Sequence, residues 1–267
     1  LSLIVMGCVF VATFVLTGVV LRFLRTHAIF DYPNQRSSHS IPTPKGAGIA
    51  VIGCIFVAWI IISWSTPMAG VSLAVIFAAL ALAALSWFDD LKGLSPLLRF
   101  LAQIAAVAFV VMFAWTPPKS EIIILGGLSS VIWGKIAVCL VWVWFINLFN
   151  FMDGIDGITG VETATIGIGV AVIVAISGLA PMLGFLGISI AASALGFLWW
   201  NWQPAKIFLG DVGSVPLGFL LGWLLLQLAV NGQWVAAMIL PLYYFADATI
   251  TLVRRGLRNE KVWQAHH

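Results

Sequence analysis

The sequence predicts an all-α, polytopic transmembrane helical bundle, and three observations predict it. Hydrophobic residues fill 62% of the 267 positions and charged residues only 9%, with a mean hydropathy of +1.09. That leaves too few polar side chains to coat a water-soluble globule. The apolar residues fall in unbroken runs close to the ~20 residues that a helix needs to cross ~30 Å of hydrocarbon. The runs show no two-residue alternation, which a transmembrane β-barrel requires.

Polar interruptions divide the chain into about nine runs, at residues 1–24, 46–66, 70–88, 98–116, 131–149, 158–178, 181–200, 214–230 and 233–252. The remainder is too short for a soluble domain, so residues 1–267 read as a single integral-membrane domain. The first run is longer than the apolar core of a secretory signal and has no small-residue cleavage site before Arg22 and Arg25, so it reads as a retained helix. Cys8, Cys54 and Cys139 lie inside apolar runs and read as small buried hydrophobes rather than disulfide or zinc residues. No fixed-period repeat is evident, which disfavours a transporter built from inverted halves.

Nine crossings alternate the connections between two sides. One side, with its helix ends, holds Arg22, Arg25, Arg36, Lys45, Lys92, Arg99, Lys206, Arg254, Arg255, Arg258 and Lys261; the other holds Lys119 and Lys135. The positive-inside rule makes the first side cytoplasmic and the N-terminus periplasmic. His27, His39, His266, His267, Asp31, Asp89, Asp90, Asp153, Asp156 and Asp211 fall on that same side, whereas the other keeps little beyond Glu121. The rule places almost no demand on Asp or His. Their asymmetry predicts that the cytoplasmic loops converge on one site. The longest outer connection, about 117–130, contains a stretch at 121–127 that could form a short strand or hairpin.

Four motifs carry the candidate chemistry. The first loop runs from Asp31 through Arg36 and His39 to Pro42-Thr43-Pro44-Lys45-Gly46-Ala47-Gly48. Its prolines stiffen the backbone, its cations and hydroxyls suit phosphate, and its glycines allow close approach of a ligand at a helix start. Asp89-Asp90, followed by Lys92, Arg99 and Gln103, is a pair of adjacent carboxylates at a membrane boundary. Such a pair is tolerated most readily when it holds a cation or moves a proton. On a helix the two side chains point about 100° apart, so they take different roles. In Asn147-Leu-Phe-Asn150-Phe-Met-Asp153-Gly154-Ile-Asp156-Gly157, the two amides share a helical face that leads into a glycine turn bearing two carboxylates. Amides suit a base, ribose or sugar; carboxylates suit a metal or a proton. In Gly210-Asp211-Val212-Gly213-Ser214, Asp211 or Ser214 could cap the following helix. Glycine on both sides of Asp211 favours instead a metal-bound phosphate close to the backbone, which makes Asp211 the best metal ligand. Asp247, inside the last apolar run, is either a functional carboxylate or the internal partner of a nearby cation.

On these four blocks, in this order, the sequence resembles the polyprenyl-phosphate N-acetylhexosamine-1-phosphate transferase family, in particular the branch that initiates O-antigen and other surface-polysaccharide lipids. The branch specific to peptidoglycan precursors differs in its first-loop pattern and carries a histidine-rich loop. The resemblance implies a multi-pass enzyme of the bacterial inner membrane. It would transfer a sugar 1-phosphate from a UDP-N-acetylhexosamine to undecaprenyl phosphate with Mg²⁺ or Mn²⁺, among membrane lipids and without a nucleic-acid partner, with a homodimer allowed. It implies catalytic roles for Asp89, Asp90, Asp153, Asp156 and His266, and metal ligation by Asp211 and Asp89. Substrate binding would fall to Arg36, His39, Thr43, Lys45, Gly46, Lys92, Asn147, Asn150, Gly210, Ser214 and Arg254. Family members continue with a histidine-containing cytoplasmic loop and at least one further helix, so the resemblance implies a C-terminal truncation at the opening of that loop.

Overall fold

A computed structural model describes residues 2–33, 41–65, 73–113 and 128–257. Arg36, His39, His266 and the 121–127 stretch lie outside these residues. The described chain is helical almost throughout: α1 (Ser2–Thr26), α2 (Gly48–Ser65), α3 (Leu73–Lys92), α4 (Pro96–Phe113), α5 (Leu128–Met152), α6 (Ile158–Ser177), α7 (Pro181–Asn201), α8 (Asp211–Leu228), α9 (Trp234–Ile239) and α10 (Leu242–Leu257). Two short strands, β1 (Phe30–Asp31) and β2 (Thr43–Pro44), pair antiparallel in the first loop. Among the described residues, seven helical segments are long and apolar enough to cross a membrane, and Gly48–Trp64 is a shorter apolar helix. The protein is thus a polytopic helical membrane protein.

The longest of those segments, Asp211–Ile239, leaves helical geometry at Asn231 (φ −94°, ψ 22°) and Gly232 (φ 83°, ψ 0°). This is where the eighth and ninth apolar runs divide. The expected 233–252 helix is itself interrupted at Leu240-Pro241. Proline has no backbone N–H to give to the preceding turn, and its ring crowds that turn's carbonyl. The chain restarts as α10 with Phe245 N donating to Pro241 O at 3.0 Å.

α8 is the innermost helix: Phe219, Leu220, Leu221, Leu224 and Leu228 are all 0% exposed. Its sequence is apolar on every face, as suits a helix surrounded by protein. The α5 residue Trp142 donates from its indole to Phe219 O at 3.0 Å and stacks on the Phe219 ring at 4.8 Å. α1 and α7 pack through small and hydroxyl residues. Thr13 and Ser193 share a 3.0 Å hydrogen bond, and a Cβ on Gly196 would lie 2.6 Å from Phe10 O. Lipid tails are as apolar as leucine, so helices in a bilayer associate by such close packing and hydrogen bonding.

The tightest crossing joins the first turns of α2 and α8, where a Cβ on Gly48 would lie 2.2 Å from Gly213 N and 2.3 Å from its Cα. Both obstacles are backbone, so no rotamer change can relieve them. Gly48→Ala should therefore cost about 1–3 kcal/mol of stability through overpacking, lowering the melting temperature of the purified protein. Gly53→Ala on the same helix, with nothing within 4 Å of its Cβ, should leave the melting temperature unchanged.

Candidate active site

Four loops meet at one end of the bundle; two are laced to each other by main-chain hydrogen bonds and the other two are tied to them through side chains. Phe208 N donates to Pro44 O (2.8 Å), while Gly46 N and Ala47 N donate to Phe208 O (3.1 and 3.0 Å) and Gly48 N donates to Leu209 O (2.9 Å). The loop before α2 is thereby laced to the loop before α8. Asn201, at the end of α7, accepts from Gly157 N at 2.9 Å and donates to Ile207 O at 3.0 Å. Asp156 accepts from Ala205 N at 2.9 Å. These bonds fasten the turn after α5 to the same loop.

Within this frame five charged side chains alternate in sign. Asp90, at the end of α3, accepts from the first two amides of α8, Asp211 N at 3.1 Å and Val212 N at 2.9 Å. It also pairs with Lys45 at 2.8 Å, and its side chain is 1% exposed. Gly210, at φ 78°, precedes those amides, and a Cβ there would lie 2.8 Å from Asp90 Oδ2. Glycine is thus required both for the backbone angle and for the approach. Lys45 reaches on to Asp211 at 3.7 Å. Arg99 Nη1 bridges Asp211 (3.1 Å) and Asp89 (2.8 Å), and Leu94 N donates to the other Asp89 oxygen. Burial disfavours the Lys45 charge, but Asp211 and Asp90 beside it outweigh that and hold its pKa above the usual lysine range.

Asp211 is the accessible carboxylate of the three, with a side chain 20% exposed against 7% for Asp89 and 1% for Asp90. It stands at the first position of α8, where the amide dipoles favour negative charge. Asn150 donates to Asp211 Oδ1 at 3.2 Å and to Ser214 Oγ at 2.8 Å, and Ser214 Oγ donates to Gly210 O at 3.2 Å. Neither Asp211 nor Ser214 caps its own helix; the cap comes from Asp90 on α3.

The remaining predicted residues divide into those near this cluster and those placed elsewhere. Asp153 is half-buried in the turn after α5. Its pKa is raised to about 7, chiefly by burial, against a lowering hydrogen bond from Thr159; the charges of Asp211, Lys45 and Asp90 also reach it. Asp156 faces the Ala205 amide, so it secures a loop. Asn147 lies one turn deeper than Asn150 and donates to Gln103 Oε1 (2.6 Å) and Val143 O (2.8 Å), tying α5 to α4. Thr43 is buried and donates to Ile41 O. Lys92 and Arg254 are exposed at the ends of α3 and α10, and Asp247 is exposed on α10. Of the two expected metal ligands, Asp89 has its oxygens engaged by Leu94 N and Arg99, and Asp211 has its own engaged by Asn150, Lys45 and Arg99; Asp211 is the more exposed, 20% against 7%, and is therefore the carboxylate that could take up a cation. Arg99, Gln103 and Asn201 belong to the framework, although none stands among the predicted site residues. The signal for Arg99 was a cation one turn into the helix that follows an acidic pair.

Residues 72–229, which carry three of the four blocks, match the profile of glycosyl transferase family 4. The chain is 26% identical over 257 residues to the probable undecaprenyl-phosphate N-acetylglucosaminyl 1-phosphate transferase of Bacillus subtilis (strain 168), covering 93% of this chain and 70% of that protein. It is 26% identical over 266 residues to the phospho-N-acetylmuramoyl-pentapeptide-transferase of Streptococcus thermophilus (strain ATCC BAA-250 / LMG 18311), covering 91% and 77%. It is 30% identical over 240 residues to the decaprenyl-phosphate N-acetylglucosaminephosphotransferase of Mycolicibacterium smegmatis (strain ATCC 700084 / mc(2)155), covering 79% of this chain and 56% of that protein. The chain spans little more than half the length of the mycobacterial relatives. With the profile match covering more than half of the chain, and the alternating charges set on its loops, the chain belongs to glycosyl transferase family 4, among the polyprenyl-phosphate hexosamine-1-phosphate transferases.

Proposed function

We propose that this chain transfers an N-acetylhexosamine 1-phosphate from a UDP-sugar to undecaprenyl phosphate, releasing UMP, as the first membrane step of O-antigen or another cell-envelope polysaccharide. The observation that carries this reading is Asp211, an accessible carboxylate at a helix N-terminus flanked by Lys45 and Arg99. In the reaction a lipid-phosphate oxygen bonds to the sugar-bearing phosphorus, and the bond from that phosphorus to the bridging oxygen breaks, leaving with UMP. Nucleophile and electrophile are both anionic, so stabilising charge must already be in place. The first-loop pattern favours the surface-polysaccharide branch, and the relatives named for N-acetylglucosaminyl transfer favour a hexosamine donor.

Asp211 fits Mg²⁺ or Mn²⁺, because Mg²⁺ commonly takes one or two carboxylates and completes its shell with water and phosphate oxygens. When bound, the ion supplies Lewis acidity and charge neutralisation. Lys45 and Arg99, 32% and 38% exposed, contact the phosphates, while Asn150 and Ser214 orient Asp211. Asp153 holds or accepts the lipid-phosphate proton, since its pKa near 7 lets it exchange one at neutral pH. Asp89 holds Arg99 and Asp90 builds the α8 terminus. Arg36, His39, Lys92, Arg254 and His266 supply further contacts to phosphate and sugar. In this reading the chain makes nine crossings with its N-terminus periplasmic, its site faces the cytoplasm from the inner membrane, and a homodimer is allowed.

The direct test supplies radiolabelled UDP-sugars and undecaprenyl phosphate to the full-length protein. A lipid-linked product should form with Mg²⁺ and disappear with EDTA; no metal-dependent product from any UDP-N-acetylhexosamine would sink the reading. Asp211→Asn should abolish turnover while leaving membrane insertion and yield intact.

Asp153 also has a signature readable without substrate. Its folded-state pKa of about 7 stands above the ordinary 3.8, so between those values the folded protein binds more protons than the unfolded one. Stability from this group is full below about pH 4 and is lost as pH rises through about 7. Asp153→Asn resembles the protonated form. In the metal-free protein it should melt at a higher temperature than wild type at pH 8 and at the same temperature at pH 4; equal melting at both would remove the shift.

A further inference from the structure

Arg99 holds two carboxylates that differ in how firmly they are fixed. Its Nη1 lies 2.8 Å from Asp89 Oδ2 and 3.1 Å from Asp211 Oδ2. An arginine terminal nitrogen carries two hydrogens, so each can serve one carboxylate. Asp89 is the anchored partner: its other oxygen takes Leu94 N, and its side chain is 7% exposed. Asp211, at 20%, is the accessible one. Lys45, by contrast, stands 2.8 Å from Asp90 and 3.7 Å from Asp211, beyond hydrogen-bond reach of the latter. Among the described residues, Arg99 is therefore the cation hydrogen-bonded to the carboxylate that fits a metal.

The base of Arg99 is fixed, which leaves motion to its head group. α4 buries one stripe, Gln103, Val107, Val110 and Val111, and leaves Leu97 and Leu101 exposed. Arg99 continues that stripe one turn toward the site. Gln103 Oε1 accepts from Asn147 Nδ2 at 2.6 Å. In hydrocarbon, where apolar contact does little to orient a helix, such an amide bond sets the phase of α4 on α5. Rotation about the side-chain bonds of Arg99 is then what moves the guanidinium, and it can leave Asp211 while the Asp89 bond stays. The charge count gives it a reason to leave. Asp89, Asp90 and Asp211 against Lys45 and Arg99 leave one negative charge in excess. A divalent cation on Asp211 would turn this into one positive charge in excess, with Arg99 on the same carboxylate. A diphosphate would reverse the sign again and offer Arg99 the bidentate acceptor that a guanidinium favours.

We infer that Arg99 competes with a divalent cation for Asp211 and passes to the donor diphosphate while pivoting on Asp89, so that the site takes up metal tightly only with the donor bound. The inference rests on the reading that Asp211 takes up a cation. It goes beyond that reading by assigning the order of uptake to one guanidinium, and by making Asp89 the holding post of Arg99 rather than a metal ligand.

Mn²⁺ uptake by the purified full-length protein, read without turnover from the free-ion signal in electron paramagnetic resonance, tests it. Arg99→Gln should lower the Mn²⁺ Kd at least about tenfold, since a neighbouring arginine depresses the affinity of a carboxylate for a proton by that factor or more. Arg25→Gln removes the same charge from an exposed position at the end of α1 and should leave the Kd within about twofold of wild type. UDP should tighten Mn²⁺ binding to wild type at least about fivefold, after correction for the Mn²⁺–UDP complex formed in buffer; this measurement needs no variant. In Arg99→Gln the tightening should shrink about fivefold, because no competitor is left to be moved. A Kd unchanged or raised in Arg99→Gln, an equal gain in Arg25→Gln, or the same UDP effect with and without Arg99 would overturn the exchange, as would the absence of a UDP effect in wild type. Asp211→Asn, run alongside, separates the failures. If it binds Mn²⁺ like wild type, the metal reading falls and the exchange with it. If it loses Mn²⁺ while Arg99→Gln gains nothing, the exchange alone falls.

Discussion

The arrangement of the site depends on one buried carboxylate. Asp90 takes two hydrogen bonds from the opening amides of α8 and an ion pair from Lys45. A charge taken so fully out of water is tolerated only when its partners are all in place, and losing one leaves the others uncompensated. These contacts therefore fix three things together: the end of α3, the loop before α2 and the start of α8. Asp211 then emerges at the mouth of the site because the helix beneath it has been capped from another helix.

Close backbone packing is what allows that cap to form. Gly210 admits the Asp90 carboxylate, and Gly48 and Gly213 let α2 and α8 begin in direct contact. The same device recurs deeper in the bundle, where a Cβ on Gly167 of α6 would lie 2.5 Å from Gly187 O of α7. In hydrocarbon, contact of this kind substitutes for the hydrophobic drive that packs soluble helices. The glycines at the functional end thus continue a packing scheme that runs through the membrane region.

The charges form an alternating chain with one carboxylate in excess: Asp89, Arg99, Asp211, Lys45, Asp90. Each cation is shared between two carboxylates, and the central carboxylate is the accessible one. Such sharing keeps a strongly polar site stable next to a low-dielectric bundle, where an unpaired charge would be costly. It also leaves Lys45 and Arg99 partly exposed, so that positive charge stands on both sides of the accessible Asp211.

The all-helical membrane class, the positions of most helices and the presence of polar blocks at their ends could be read from the sequence, because hydropathy and run length are local properties. Asn150 and Asp211 were also legible as candidates for one site, from residue type and from their blocks falling on one side of the predicted bundle, but their direct hydrogen bond was not. Sequence reasoning assigned Asp89 and Asp90 different roles, because adjacent residues on a helix point about 100° apart, but it did not say which role fell to which residue. Only the tertiary structure made one the partner of Arg99 and the other the cap of a helix 121 residues away. It likewise turned Asp156 to the Ala205 amide, drew Arg99 into the centre and broke the last apolar run at Pro241. A residue's chemistry is set by its side chain, but its partner is set by helix phase and by which helices pack together, and neither is encoded locally.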